Sequence, residues 1–141
     1  MKSGWVWVLV AGAIMLALGG GVALSMTVSP LIQKFANAIA NAEGFQVVGS
    51  IPNRNNNPGD ITDPATGSFM SYATPDDGWN ALYSQVSAMF SGTSRYYNPS
   101  MTISQVAQIY SPDGWLNWAN NVASYLGVST DTTLNDLQGG A

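Results

Sequence analysis

Hydrophobic and polar residues fall in blocks along this chain, and each block has its own period. From Trp5 to Met26 the sequence WVWVLVAGAIMLALGGGVALSM carries no charge, and it exceeds the about 20 apolar residues that a helix needs to cross a bilayer. Trp5 and Trp7 stand beside Lys2 at one end, an interfacial and positive-inside arrangement that predicts the N-terminus inside and residues 28–141 outside. A cleaved signal peptide is the rival reading, because Ala23-Leu24-Ser25 offers small residues two apart. The apolar core of such a peptide is usually only about 7 to 15 residues long. Gly19-Gly20-Gly21 offers close helix approach, though adjacent glycines are a weak dimerisation signal.

Beyond this segment the period becomes helical. Ser29-Pro30 reads as an N-cap followed by proline at the first helical position. Leu31, Ile32, Phe35, Ile39 and Ala42 then recur at helical spacing until Glu43-Gly44 closes the element. A polar, turn-rich stretch follows, with β-like pieces at Val47 to Ile51, Asp60 to Thr62 and Ser68 to Ala73, and Asn57-Pro58-Gly59 as a turn signal. It predicts a small, irregular hairpin lobe. Thr74-Pro75-Asp76-Asp77 starts a second helix by cap, proline and acidic first turn; Trp79, Leu82, Tyr83, Val86, Met89 and Phe90 form its apolar face, and Ser91-Gly92 ends it. Thr102-Ile103-Ser104-Gln105 has capping-box form and opens a short helix with Ile103, Val106, Ile109 and Tyr110 inward, stopped by Pro112. A fourth helix is expected from Asp113 or Gly114 to Leu126, with Trp115, Ala119, Val122 and Leu126 inward, and Thr133 to Leu137 adds a last turn. The fold class expected is α+β and mainly helical: one domain over residues 28–141 with a small β lobe, preceded by one transmembrane helix over residues 1–27.

Composition narrows the chemistry. The 141 residues are only 9% charged, against about 25% in an ordinary soluble protein. The chain has no cysteine and no histidine, which removes disulfides, thiol nucleophiles, imidazole bases and nearly every zinc-hydrolase ligand set. No metal or other cofactor is expected. All eight acids lie between Glu43 and Asp136 and no basic stripe accompanies them, so nucleic acid is a poor partner. Proton chemistry then falls to carboxylates, with tyrosines and amides in support.

Glu43 is the only glutamate. Its spacing puts it on the face of Phe35 and Ile39, where apolar surroundings and the negative end of the helix dipole both raise its pKa. A carboxylic acid kept protonated near neutral pH is what protonating a glycosidic oxygen requires. The plainer alternative is a helix-end group bonded to loop amides. Asp60 and Asp63 follow in the expected lobe, and Asp60 is the candidate second carboxylate, with a simple turn role as its alternative. Asp76, Asp77 and Asp113 read as caps, and Lys34, near the membrane end of its helix, is a weak candidate for activating a serine. Asn55, Asn56, Asn57, Tyr72, Tyr110, Trp115 and Trp118 are groups of the kind that hold neutral sugars. Trp79, Trp115 and Tyr83 fall at core spacing.

These residues carry a resemblance. Ala38-Ile39-Ala40-Asn41-Ala42-Glu43-Gly44-Phe45, then Gly49-Ser50-Ile51-Pro52, then Asn56-Asn57-Pro58-Gly59-Asp60-Ile61 is similar to the N-terminal half of a lysozyme-like domain found in phage virion-associated muralytic proteins and bacterial relatives. Phe69 to Tyr72, Thr74, Gly78-Trp79, Ala81-Leu82, Tyr97-Asn98-Pro99, Met101-Thr102-Ile103, Ala107 to Pro112 and Asn120-Asn121-Val122 resemble the rest of it. The resemblance implies a helix delivering a catalytic acid, Glu43, into a cleft, and cleavage of the β-1,4 bond between N-acetylmuramic acid and N-acetylglucosamine. It also implies Asn56 and Asn57 on the cleft-lining turn, with Tyr72 or Tyr110 positioning the glycan. Asp60 serves as a second carboxylate in a hydrolytic muramidase and is dispensable in a lytic transglycosylase. The expected partners are peptidoglycan strands, a bilayer and other proteins of a virion or membrane complex, in local wall penetration. A non-catalytic structural or glycan-binding membrane protein is the rival class.

Overall fold

The computed structural model describes residues 17–18, 22–23 and 27–139. Its elements are two short strands, β1 (Ala17–Leu18) and β2 (Val22–Ala23), and six helices: α1 (Pro30–Glu43), α2 (Ile51–Arg54), α3 (Pro75–Ser91), α4 (Ile103–Tyr110), α5 (Trp115–Leu126) and α6 (Leu134–Gln138). A 3-10 turn over Pro112–Gly114 leads into α5. The protein is mainly helical, as its periodicity predicts.

The helices start and stop where local chemistry dictates. The Ile32 N–H donates to Ser29 Oγ ahead of Pro30, and Gly44 closes α1 at φ 77°, a left-handed conformation that costs glycine little. Thr74 caps α3 over Asp76 and Asp77. Thr102 with Gln105 and Thr133 with Asp136 form two capping boxes. Those last two helix starts lie side by side, because the Ile103 N–H donates to Thr132 O and the Leu134 N–H to Met101 O.

The core lies where α1, α3, α4 and α5 meet. Phe35 and Ile39 of α1, Leu82 and Met89 of α3, Val106 of α4, Val122 of α5 and Leu134 of α6 are fully buried in it, and the Phe35 and Phe90 rings meet edge to face at 5.2 Å. Burial of such side chains contributes about 1.5 to 3 kcal/mol each.

Two expectations are corrected. Val47 to Ile51 is not a β piece: it is a turn that runs into α2, because Ser50 caps that helix and Pro52 suits its first turn. The rest of the expected β lobe reduces to one bridge, Thr62 with Phe69. Asn57 explains why the ladder goes no further. Its side-chain amide donates to both Ile61 O and Met70 O, and its Oδ1 accepts from the Ile61 N–H, so a carboxamide wedged between the two arms takes the bonds that a strand pair would share. Of the segment expected to span a membrane, the structure describes two short strands, in which Ala17 pairs with Ala23 and Leu18 with Val22 in antiparallel register. The remaining residues of that expected helix lie outside the described ones. Among the described residues no helix is long and apolar enough to cross a membrane.

Candidate active site

The C-terminal end of α1 delivers Glu43 to the floor of a cleft of about 530 Å3, a volume in the usual range for small-molecule sites. One wall is the hairpin segment with Asp60, Thr62, Phe69, Met70 and Tyr72; the other comes from the α3–α4 loop and the end of α4, with Tyr96, Tyr97, Ile109 and Tyr110.

Glu43 is held from behind. The Trp118 indole N–H donates to Glu43 Oε1 at 2.7 Å, and Trp118 is only 4% exposed. Tyr110 stacks on Trp118 with ring centroids 4.9 Å apart, and its hydroxyl donates to Gly59 O. That chain of contacts ties the acid to the Asn-rich turn. An indole can only donate, so Oε1 is committed as an acceptor and the proton of the acid form resides on Oε2. Burial pushes the Glu43 carboxyl up to about 7, the Trp118 hydrogen bond pulls it down, and the Asp60 charge adds to the rise. Burial likewise raises Asp60, and it raises the Tyr110 phenol well above its usual value, with the Glu43 charge next in importance.

Asp60 enters the cleft from an unusual backbone. Its φ of 48° is left-handed, a region that aspartate tolerates better than most residues. Its N–H donates to Asn57 O at 3.0 Å. Its Oδ1 is buried without a hydrogen-bond partner, an arrangement that disfavours the charged form.

The turn is pressed hard against the helices. A Cβ on Gly59 meets Leu82 Cδ1 at 2.7 Å and the Tyr110 hydroxyl at 2.9 Å, and a Cβ on Gly78 meets Asn56 O at 1.7 Å. At Gly78 the obstacle is backbone and only glycine fits, whereas at Gly59 the ends of two side chains would have to shift.

The site residues expected from the sequence therefore separate. Glu43, Asp60, Tyr72 and Tyr110 line the cleft together. Asn57 does not: it is 0% exposed and its amide is spent on the hairpin, so its assignment to substrate is corrected. Asn56 donates to Tyr72 O and lies outside the cleft lining, so its side chain supports the wall. Asn55 likewise acts through its backbone, accepting from the Tyr72 N–H. Trp118, grouped with the sugar-binding candidates, belongs instead to the core and to Glu43. Its spacing to Val122 and Leu126 carried that signal, since the three share one helical face. Phe69 and Tyr96 were not singled out as site residues because irregular segments give them no period, and Ile109, expected inward on α4, is corrected: it is exposed and lines the cleft. Among the described residues no cluster of three or more acidic side chains is disposed to hold a metal ion.

What this arrangement can do is general acid chemistry. A carboxyl with a value near 7 cycles between acid and base at neutral pH with little driving force lost in either direction. Comparison with known protein families, with characterised proteins and with solved structures finds no match.

Proposed function

We propose that this chain is a peptidoglycan lytic transglycosylase on a lysozyme-like fold, cleaving the β-1,4 bond between N-acetylmuramic acid and N-acetylglucosamine. The observation that carries the reading is Glu43, a desolvated acid raised to about 7 at the floor of an open cleft. Protonated on Oε2, it gives that proton to the glycosidic oxygen as the bond to C1 breaks. The resulting carboxylate then takes the proton of the muramyl C6 hydroxyl as that oxygen bonds to C1, which leaves an anhydro end and returns Glu43 to its acid form. Tyr72 and Tyr110 shape the wall beside the reacting sugar.

A hydrolytic muramidase is the second reading, and one observation favours it: Asp60 shares the cleft and keeps a buried oxygen without a partner. In that chemistry Asp60 stabilises the oxocarbenium-like state or orients water. The charge-free stretch before Thr27 supports membrane attachment with the domain outside, which suits local wall opening in a virion or membrane complex.

Mass spectrometry of fragments released from purified peptidoglycan by the full-length chain, beside a Glu43→Gln control, tests both. Anhydromuramyl ends released by the wild type alone establish the first reading, and reducing ends the second. No release by a demonstrably folded protein overturns both in favour of a structural or binding role.

A further inference from the structure

Three large apolar side chains line the cleft mouth and face solvent: Phe69 is 46% exposed, Tyr96 42% and Ile109 41%. Each comes from a different segment, the hairpin, the α3–α4 loop and α4. The other large apolar side chains that are exposed among the described residues, Val47, Val48, Ile51, Leu116 and Tyr125, lie outside the cleft lining. An exposed apolar side chain standing alone needs no explanation, but a cluster around a concave site marks a binding surface.

The backbone that carries each ring is also held in place. Phe69 sits at the only bridge of the hairpin, opposite Thr62, and is flanked by the Asp63 N–H donating to Ser68 O and the Met70 N–H donating to Ile61 O, both at 2.8 Å. Tyr96 sits in a turn whose backbone is fixed from the other side, because Ser94 Oγ accepts from both the Tyr96 and the Tyr97 N–H at 3.1 Å. The chain thus fixes the backbone beneath rings that it does not bury. Aromatic faces at the entrance of a cleft with an acid at its floor suit a ligand with flat, weakly polar faces and polar edges. A pyranose has that form: its axial C–H groups make an apolar face and its hydroxyls and acetamido group a polar rim.

We propose that Phe69 and Tyr96 form an aromatic clamp that grips N-acetylated sugar rings of the glycan on the two walls of the cleft, with Ile109 as an apolar seat beside them. The clamp rests on the glycan-cleaving reading above and adds to it the residues that hold the strand. It recognises ring faces, so the Tyr96 hydroxyl is dispensable and its ring is not.

The test uses full-length chain carrying Glu43→Gln, which binds without turnover, and a tetrasaccharide of alternating N-acetylglucosamine and N-acetylmuramic acid, titrated by calorimetry. Adding Phe69→Ala or Tyr96→Ala weakens binding about tenfold each, as expected for loss of one stacked ring, and Tyr96→Phe restores what Tyr96→Ala loses. In the active chain the same alanine variants raise KM about tenfold and leave kcat within about twofold, the split expected of uniform binding. Unchanged affinity in both alanine variants overturns the clamp while the glycan-cleaving reading stands. A loss in Tyr96→Phe as large as in Tyr96→Ala also overturns it, assigning that wall to a hydroxyl contact. Absence of binding by Glu43→Gln together with absence of glycan release by the wild type overturns the underlying reading and the clamp with it.

Discussion

The two halves of the cleft are built by different physics. On the helical side Glu43 stands at the end of α1, on the same face that buries Phe35 and Ile39 in the core shared with α3 and α5. That side is held by apolar packing, which is non-directional and tolerates exchange among side chains of similar volume. On the turn side the wall from Asn55 to Tyr72 contains one bridge and is organised around Asn57, the polar side chain that is completely buried among the described residues. That side is held by directional hydrogen bonds to particular atoms. A packed wall degrades gradually as volume is lost; a wall hung on one amide fails at a single point.

Asn57→Ala gives the largest effect. It removes three hydrogen bonds and leaves the Ile61 N–H and Met70 O without those partners, for a cost of about 3 to 5 kcal/mol. Ile39→Ala costs a similar 2 to 5 kcal/mol through its cavity. Hydrogen exchange separates the two: Asn57→Ala is expected to open residues 60–72 while helical amides stay protected, and Ile39→Ala to lower protection throughout. Equal global loss in both variants makes the halves one cooperative unit and breaks the contrast.

Glu43→Gln comes next. The folded carboxyl near 7 lies above its ordinary value of 4.5, so between those pH values the folded state keeps a proton that the unfolded chain has released. Stability therefore falls as pH rises across that window. The amide keeps an oxygen for the Trp118 N–H and carries no charge, so urea denaturation at pH 8 is expected to show a gain of up to about 3 kcal/mol, with none at pH 4.

Trp118→Phe has a smaller effect of known sign. The indole hydrogen bond favours the charged carboxylate, so its loss moves Glu43 further up. Glu43 is the only glutamate in the chain, so carbon-13 labelling of glutamate gives a single carboxyl signal whose titration reads this directly. The alkaline limb of the pH–activity profile shifts up with it, because the acid works protonated. Tyr110→Phe is the mildest change: it keeps the stack on Trp118 and loses the bond to Gly59 O, about 1 kcal/mol in a thermal melt.

The same contrast governs what could be read from the sequence. Helical spacing located α1, α3, α4 and α5 and the core residues Phe35, Ile39, Leu82, Val86, Met89, Val106 and Val122, because packing writes a period into the chain. Caps such as Thr102 with Gln105 were legible from residue type alone. Glu43 was legible through its place on the Phe35–Ile39 face. The hairpin wall was legible as an irregular hairpin from its turn residues, but its β-like pieces meet at a single bridge, and nothing local shows that an asparagine side chain replaces the ladder. Asn57 looked like a sugar-binding amide for the same reason: residue type says that it forms hydrogen bonds, and only the fold says with whom. Trp118 finds its partner across two helices distant in sequence, a pairing that no spacing rule encodes.

The Asn57 hub also bears on how the protein can change. Because residues 63–68 hang from a fixed amide and one bridge rather than continuing a ladder, their length and sequence are not dictated by strand register, and loop extension costs little chain entropy. The cleft rim is therefore a replaceable module on a packed chassis of helices, the place where grafting or drift can alter ligand preference without rebuilding the acid beneath it.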